Sequence, residues 1–514
     1  MKNARRFIYN GLILTAASLL LRTLSVGFNI FITARVGEVG TGLFQLVMSV
    51  YSPALVLASA GTSLASSRLV AEEMEKRRGN PRAVLIRCIL FSQLSSLPIA
   101  IGLFVLSPYI SASWLGSADA SHLLKMLSVG IPFISLSSCI NGFFIALRKA
   151  KNTAFIQISE QLFKMLVTFA LIYGMADRAE TCLLLVVFAN VCSDIFSVII
   201  SLALCSREAK SLPRRSVTRG GISASVLSII LPVSISSFLR SALTALEHIL
   251  IPRGLRKNGL SYGASMASYG VLTGMALPII FFPASFLYSF STLTVPEMAE
   301  ANERGDKGEI LIKMRQILRA ILIFSVGASG LIFAYGSDLG QAIYGSDKVG
   351  YYLHILAPLI PIMYLDNVCD SMLKGLGEQI FTMKVNVIDA ASCVICVFFL
   401  VPRVGIMGYV AVILLSELIN FSFSIHRLGK ITGEKTGLLG SLPKPLISVV
   451  LSVLLTKPIA GAAQGPVLRA TVGVLLGAVV YTAIIFGEKA VRDKVIKMKR
   501  IPYNGARKGS GEVT

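Results

Sequence analysis

The sequence has little charge. Asp, Glu, Lys and Arg make up 15% of its 514 residues, and it has four His and one Trp. Soluble domains are typically about 25% charged. The shortage of charge excludes a large soluble domain, because apolar stretches recur from Phe7 to Phe486. Hydrophobic residues account for 54% of the chain and mean hydropathy is +0.73, which predicts an all-α polytopic membrane protein.

Signatures of enzymes and cofactor sites are also missing. The Gly433–Thr436 segment lacks the upstream glycines of a phosphate-binding loop, and the dispersed histidines offer no metal-binding spacing. No Ser/His/Asp grouping is visible. We therefore expect neither an enzyme nor a bound cofactor or metal, and a transporter of this kind must run on gradients, membrane potential or substrate flux.

Cysteine usage predicts no disulfide framework. Most of the eight cysteines fall inside apolar stretches. Cys393 and Cys396 have the spacing of a redox or zinc pair, but they lie in a spanning stretch with no second pair. We expect the cysteines to be small buried residues.

Apolar stretches of bilayer length are abundant. A bilayer core of about 30 Å needs roughly 20 apolar residues per helix. The first stretch is too long for a signal peptide and is interpreted as an uncleaved helix. The fourteen predicted helices cover 7–33, 43–67, 85–109, 122–147, 152–174, 182–205, 223–251, 266–291, 316–336, 351–373, 381–401, 405–426, 442–461 and 467–487.

Basic residues alternate between the connections of these helices. Connections rich in Lys and Arg, such as 76–87 and 206–221, alternate with connections that have almost none. The rule that cytoplasmic loops are basic therefore predicts that both termini are cytoplasmic. One predicted outer loop departs from the pattern, because it carries Arg253, Arg256 and Lys257.

The first six predicted helices resemble the next six. Phe44 and Pro53 match Tyr269 and Pro278 at one offset, and Glu160 matches Asp389 at another. Copies with an even number of helices enter the membrane from the same side and enclose a cavity between them. The predicted organisation is an N-terminal lobe (1–205), a basic linker (206–221), a C-terminal lobe (222–430), two further helices (431–490) and a basic tail (491–514).

An arginine recurs within the first helix of each copy. Arg22 and Arg240 each lie inside an apolar stretch, with Arg35 and Arg253 thirteen residues later. Charge at that depth is costly and usually faces a cavity or a partner. Because guanidinium binds phosphate bidentately, Arg22 and Arg240 are candidate phosphate-binding residues of a central cavity, and the alternative is a structural ion pair.

Acidic residues inside the predicted helices are further candidates. Glu247 and His248 either carry a proton or cation for coupling or neutralise Arg240, and Asp366 is a third coupling candidate. Asp370 with Lys374 and Glu160 with Lys164 have the spacing of structural ion pairs. Candidate pathway residues without a local partner are Asp194, Asp389 and Glu417.

Prolines recur in register in the two copies. Proline inside a helix removes a backbone hydrogen bond and kinks the helix. The candidate hinges are Pro53, Pro132, Pro278 and Pro361, and static packing is the alternative.

Several short motifs resemble one known family. They are Ala34–Glu38, Gly40–Phe44, Ser67–Glu72, Tyr344–Ser346, Ala357–Pro358 and Gly405–Gly408. They resemble the stage V sporulation protein B family of the multidrug/oligosaccharidyl-lipid/polysaccharide exporter superfamily, and the likeness runs from about residue 5 to 490. In the related lipid II flippases, the arginine of the first helix matches Arg22. Those flippases also have a basic residue in the middle of their second helix, where this chain has the apolar segment Leu55–Ala58. This difference favours the sporulation and polysaccharide branch.

The resemblance implies a function. It implies an alternating-access flippase, a monomer in the bacterial cytoplasmic membrane, that moves a lipid-linked saccharide pyrophosphate for peptidoglycan or another envelope polysaccharide, with a role in sporulation. Partners would be this substrate, anionic lipids and envelope-synthesis enzymes, with no nucleic acid. One alternative is a cation-coupled multidrug exporter of the same superfamily. Another is a membrane scaffold for envelope synthesis that transports nothing.

Overall fold

The computed structural model describes residues 2–59, 61–75, 80–175, 179–210, 222–305, 307–433 and 437–499. Within these residues the chain consists of helices and short turns, as the composition predicts. The helices of the N-terminal lobe are α1 (Lys2–Ser59), α2 (Thr62–Glu75), α3 (Pro81–Ile110), α4 (Ala120–Ala146), α5 (Ala150–Met175) and α6 (Ala179–Lys210).

The second half continues the same pattern. Its helices are α7 (Ile222–Lys257), α8 (Tyr262–Gly270), α9 (Leu277–Glu303), α10 (Lys307–Tyr344), α11 (Asp347–Leu356), α12 (Ile360–Gly375), α13 (Gln379–Val404) and α14 (Ile406–Thr432). The last three are α15 (Leu438–Ser441), α16 (Pro443–Gly461) and α17 (Pro466–Lys499). Two predicted boundaries shift, because α6 extends five residues into the predicted linker and α17 extends into the predicted tail. Residues 211–221 and 500–514 lie outside the described part of the chain.

Gly37 divides α1 into two arms. Its φ of 76° and ψ of −179° are not helical. The Phe28 ring contacts Lys164, and the Tyr51 hydroxyl lies near Asp194. Lys164 and Asp194 interact with each other, so Phe28 and Tyr51 lie beside the same polar cluster. In a straight helix these two residues would stand roughly 34 Å apart. The chain therefore turns back near Gly37, a position where a residue with a Cβ atom would be strained.

Twelve helical stretches of the described residues are long and apolar enough to cross a membrane. The first, Ala17–Met74, contains the turn at Gly37 and has room for two crossings. Large apolar side chains such as Leu94, Ile388 and Leu454 are exposed on the outside of the bundle, as expected where lipid replaces water. The chain is a multi-pass membrane protein, and the exact number of fourteen crossings remains a prediction.

The last two long helices pack on α10 through small residues. A Cβ atom on Gly327 or Gly473 would collide with the ring of Tyr481 or Tyr335. The Tyr481 hydroxyl donates to the carbonyl of Ile323 at 2.6 Å, and the Tyr335 hydroxyl lies 2.8 Å from Thr456 Oγ1. Helices α16 and α17 are thus attached to one side of the C-terminal lobe, outside the repeat.

The four candidate hinge prolines fall into two kinds of position. Pro53 lies inside the second arm of α1, and Pro132 lies inside α4. Pro278 follows a π-helical segment, Val271–Ala276, and Pro361 follows a 3₁₀ turn, Ala357–Leu359. In these two places the irregular backbone already accommodates the missing N–H group of proline. A hinge role remains a prediction for all four.

The two lobes meet along α1 and α8, where backbone touches backbone. A Cβ atom on Gly42 would collide with the carbonyl of Met266, and one on Gly270 with the backbone of Glu38 and Gly42. Small residues at a helix crossing allow such close approach, which increases the van der Waals packing between helices in lipid.

We expect Gly270→Ala to destabilise the protein. The added methyl group has no room in this crossing, and overpacking typically costs about 1–3 kcal/mol. Gly102→Ala on α3 is the matched control, because nothing lies within 4 Å of its Cβ position. Alanine favours helix over glycine by about 1 kcal/mol, so the control should be as stable as the native protein or more so. Thermal unfolding in detergent measures both, and equal midpoints would contradict the tight crossing.

Candidate functional site

The two predicted phosphate-binding arginines are both exposed in the structure. Arg22 lies on the first arm of α1 and Arg240 near the middle of α7. Beside Arg240, the hydroxyl groups of Ser241 and Ser52 lie 3.3 Å apart and join α7 to the second arm of α1. Arg240 therefore stands next to the boundary between the lobes. The central chamber with Arg22 and Arg240 on opposite walls remains a prediction.

A polar cluster fills the middle of the N-terminal lobe. Glu160 and Lys164 on α5 and Asp194 on α6 interact electrostatically. Glu160 accepts a hydrogen bond from the Ser197 hydroxyl at 2.6 Å. The Lys164 ammonium lies 5.4 Å from the centre of the Phe28 ring, a cation–π contact. The structure records no direct ion pair between Glu160 and Lys164, in contrast to the spacing-based prediction.

The absence of a side chain at Gly130 on α4 leaves space for the Asp194 carboxylate. A Cβ atom there would lie 2.8 Å from Asp194 Oδ2 and 3.6 Å from the Tyr51 hydroxyl. A cavity of about 240 Å³ adjoins the cluster, lined by Asn141, Glu160, Asp194 and the hydroxyl groups of Ser137 and Ser197, among others. The N-terminal lobe thus holds a polar cavity lined by two carboxylates, and the Lys164 ammonium group interacts with both of them.

The C-terminal lobe collects acids from four helices. The carboxylate of Asp389 on α13 lies close enough to repel Glu247 on α7 and Glu417 on α14, and Asp366 on α12 repels Glu417. Lys374 reduces the charge around Asp366, but it pairs directly with Asp370 at 3.4 Å. The predicted coupling residue Glu247 and the predicted pathway residues Asp389 and Glu417 therefore belong to one acidic cluster.

Hydroxyl and thiol groups stabilise the Asp389 carboxylate. Ser416 donates to Asp389 Oδ1 at 2.7 Å, and Cys393 lies 3.7 Å from the same oxygen. These residues line a groove of about 280 Å³ between α13 and α14. The predicted coupling residue His248 instead faces Tyr269, whose hydroxyl lies 3.0 Å from His248 Nδ1.

The repeat exposes one difference between the lobes. Glu160 and Asp389 occupy matching positions, and each accepts a hydrogen bond from a serine of the next helix. Four residues later the N-terminal lobe has Lys164, whereas the C-terminal lobe has Cys393. At this position the first lobe therefore has a cation and the second has a thiol.

Two contacts hold the lobes together at the end of the bundle where α7 terminates. Glu38 pairs with Lys348 at 2.9 Å, and Ser346 lies 3.5 Å from the same carboxylate. The Arg253 guanidinium donates to the carbonyl of Ser113. Sequence analysis missed these contacts, since Glu38 and Lys348 lie 310 residues apart and each is an ordinary loop charge by itself. In this conformation the lobes are closed at that end.

Comparison with known proteins places the chain in a family. The profile of the polysaccharide biosynthesis protein family matches residues 7–286. The chain belongs to this family. It is 25% identical over 418 residues to stage V sporulation protein B of Bacillus subtilis (strain 168). The aligned part covers 78% of this chain and 79% of the relative. It is 23% identical over 359 residues to sporulation protein YkvU of the same organism, covering 69% and 79%.

Solved structures share the fold at low sequence identity. The lipid II flippase MurJ in an inward closed conformation has a TM-score of 0.69 at 13% identity, covering 94% of this chain and all (100%) of that one. An inward-facing multidrug resistance MATE family transporter has a TM-score of 0.59 at 13% identity, covering 82% and 99%. The predicted resemblance and fold class are therefore confirmed, and the relatives are transporters, flippases and sporulation proteins.

Removal of Lys164 tests the N-terminal cluster. Lys164→Met leaves Glu160 and Asp194 without a cation in a low-dielectric interior, and an uncompensated buried charge costs about 3–5 kcal/mol. Asp194→Asn leaves one acid and one base, so its stability should stay the same or rise. Thermal unfolding in detergent compares the two, and equal losses in both variants would contradict the charge balance that we assign to this cluster.

Proposed function

We propose that the chain is an alternating-access flippase for a lipid-linked saccharide in the bacterial cytoplasmic membrane, with both termini cytoplasmic. The observation that carries the proposal is the pair of exposed arginines, Arg22 and Arg240, at matching positions of two copied lobes. Family membership supports it, because the family is described as acting in polysaccharide biosynthesis.

The arginines account for recognition of the substrate's charged part. A lipid-linked saccharide pyrophosphate must carry its phosphates through an apolar bilayer, where an unpaired charge costs several kcal/mol. Two guanidinium groups can offset that cost with bidentate hydrogen bonds to phosphate oxygens. The apolar tail would remain in lipid beside α16 and α17, which are attached to α10 outside the repeat.

Closure of the lobes at one end accounts for the direction of access. The Glu38–Lys348 pair and the Arg253 contact would have to break before a headgroup could leave at that end. Exposed ion pairs contribute little, about 0–1 kcal/mol, so this closure is easily reversed. The tight glycine crossing between α1 and α8 would be the part of the boundary that resists opening.

The acidic cluster of the C-terminal lobe is the proposed coupling element. Asp389 repels both Glu247 and Glu417 within the bundle, which favours uptake of a proton or a small cation. Asp366 adds a fourth carboxylate to the cluster through its repulsion of Glu417. His248 stays hydrogen-bonded to Tyr269. Asp194, which faces a cation in its own lobe, is better suited to a structural role.

Substitution of the two arginines tests the flippase. Arg22→Gln and Arg240→Gln should each reduce transfer of a fluorescent undecaprenyl-pyrophosphoryl saccharide between leaflets of proteoliposomes about tenfold or more, the usual value of a charged hydrogen bond. Arg403→Gln, an exposed arginine at the end of α13, is the control and should retain the native rate.

Thermal unfolding separates loss of function from loss of fold in this experiment. All three variants should unfold close to the native midpoint, because exposed side chains contribute little to packing. If folded Arg22→Gln and Arg240→Gln both move the labelled lipid at the native rate, the phosphate-binding role is wrong.

A further inference from the structure

Three basic side chains come together where α7 ends. Arg253, Arg256 and Lys257 occupy positions i, i+3 and i+4 of the last turns, so they lie on neighbouring faces of the helix. They are the same residues that depart from the charge alternation of the sequence. By the predicted topology they lie on the outer side, where such loops usually carry few basic residues.

These side chains line a cavity of about 750 Å³ between α7, α8 and α13. Two aromatic rings contact the cationic groups of Arg256 and Lys257. Arg256 lies 5.9 Å from the ring centre of Tyr262, and Lys257 lies 5.7 Å from that of Phe398. Both are cation–π distances. Within the described chain, no carboxylate forms an ion pair with Arg256 or Lys257.

Part of the cavity lining is apolar and continues onto the exposed surface of α13. The apolar part is formed by Leu250, Leu260, Phe398 and Pro402, and Ser261 adds a hydroxyl group. Along α13, Ile395, Phe398 and Phe399 are at least half exposed, as on a surface that lipid covers. A cavity with cations at one end and apolar walls open to lipid matches a molecule that has an anionic headgroup and an acyl or prenyl chain.

Arg253 connects this cavity to the other lobe. Its guanidinium donates to the carbonyl of Ser113, and with Arg256 it also lines a smaller cavity of about 90 Å³ that reaches Trp114. A Cβ atom on Gly116 would lie 3.0 Å from Arg256 Nη1, so Arg256 also reaches the N-terminal lobe. An anion bound here would touch the residues that close the lobes.

We propose that the Arg253–Arg256–Lys257 cavity binds the phosphate headgroup of a lipid from the leaflet at this end of the bundle. The site is separate from Arg240, which lies more than three turns earlier on α7, and from Arg22, which lies on α1. It does not depend on the flippase function. Guanidinium and ammonium groups supply the phosphate contacts, and the aromatic and aliphatic walls take the start of the lipid chain.

The single tryptophan makes the site measurable without labels. Trp114 is the only tryptophan of the chain and lies in the adjoining cavity with Arg253 and Arg256. In lipid discs of phosphatidylcholine, added phosphatidylglycerol with brominated chains should quench its emission at a much lower mole fraction than brominated phosphatidylcholine does. Equal quenching by both lipids would overturn the proposal.

A matched pair of double variants assigns the effect to the cavity. In Arg256→Gln/Lys257→Gln the mole fraction for half-quenching by phosphatidylglycerol should rise about tenfold or more, since each basic residue near an anionic surface contributes about fivefold. Arg403→Gln/Arg469→Gln removes two exposed positive charges from the same end of the bundle and should behave like the native protein. If both double variants lose the preference equally, general surface charge explains it and the proposed site is wrong.

Sodium pyrophosphate distinguishes a lipid headgroup from a free phosphate. In discs of phosphatidylcholine alone it should leave the Trp114 emission unchanged, because the apolar walls contribute to binding only when a lipid chain is present. A shift with pyrophosphate that is lost in Arg256→Gln/Lys257→Gln would assign the site to a soluble phosphate compound and overturn the lipid assignment.

Discussion

The cost of keeping charge away from water governs the arrangement of both lobes. In lipid, an isolated carboxylate or ammonium group must find a partner or lose its charge. Asp194 fits only because Gly130 leaves room for its carboxylate beside Lys164 and Tyr51. Helices α4, α5 and α6 are therefore held together by a polar cluster as well as by packing. The same constraint explains why serine and cysteine surround Asp389.

The same constraint separates what sequence analysis predicted from what it missed. Apolar stretches of bilayer length are a local property, so the helices and the six-helix repeat were predictable from the sequence alone. The charged residues inside them were equally visible. Their partners were not, because Glu247, Asp389 and Glu417 come from three helices and meet only through tertiary packing. For the same reason, helical spacing suggested a Glu160–Lys164 ion pair where Ser197 binds Glu160.

The boundary between the lobes depends on a balance of strong and weak contacts. Backbone contact at Gly42 and Gly270 cannot be adjusted gradually, since any separation loses the close packing at once. The Glu38–Lys348 pair is partly exposed and contributes little. Such a boundary favours two distinct arrangements over a continuous range, which is what alternation between two states requires.

The exchange of Lys164 for Cys393 between the copies gives the two lobes different charges at matching positions. Lys164 offsets one of its two carboxylate neighbours, Glu160 and Asp194, so the chain itself supplies part of the charge balance of the N-terminal cluster. A thiol can donate a hydrogen bond to Asp389 but leaves the repulsion from Glu247 in place. We propose that the C-terminal cluster is the one that changes its net charge when a proton or a small cation arrives. Because α7 carries Glu247, Arg240 and the Arg253 contact on one continuous helix, a movement driven by that change would reach the cavity and the lobe closure together.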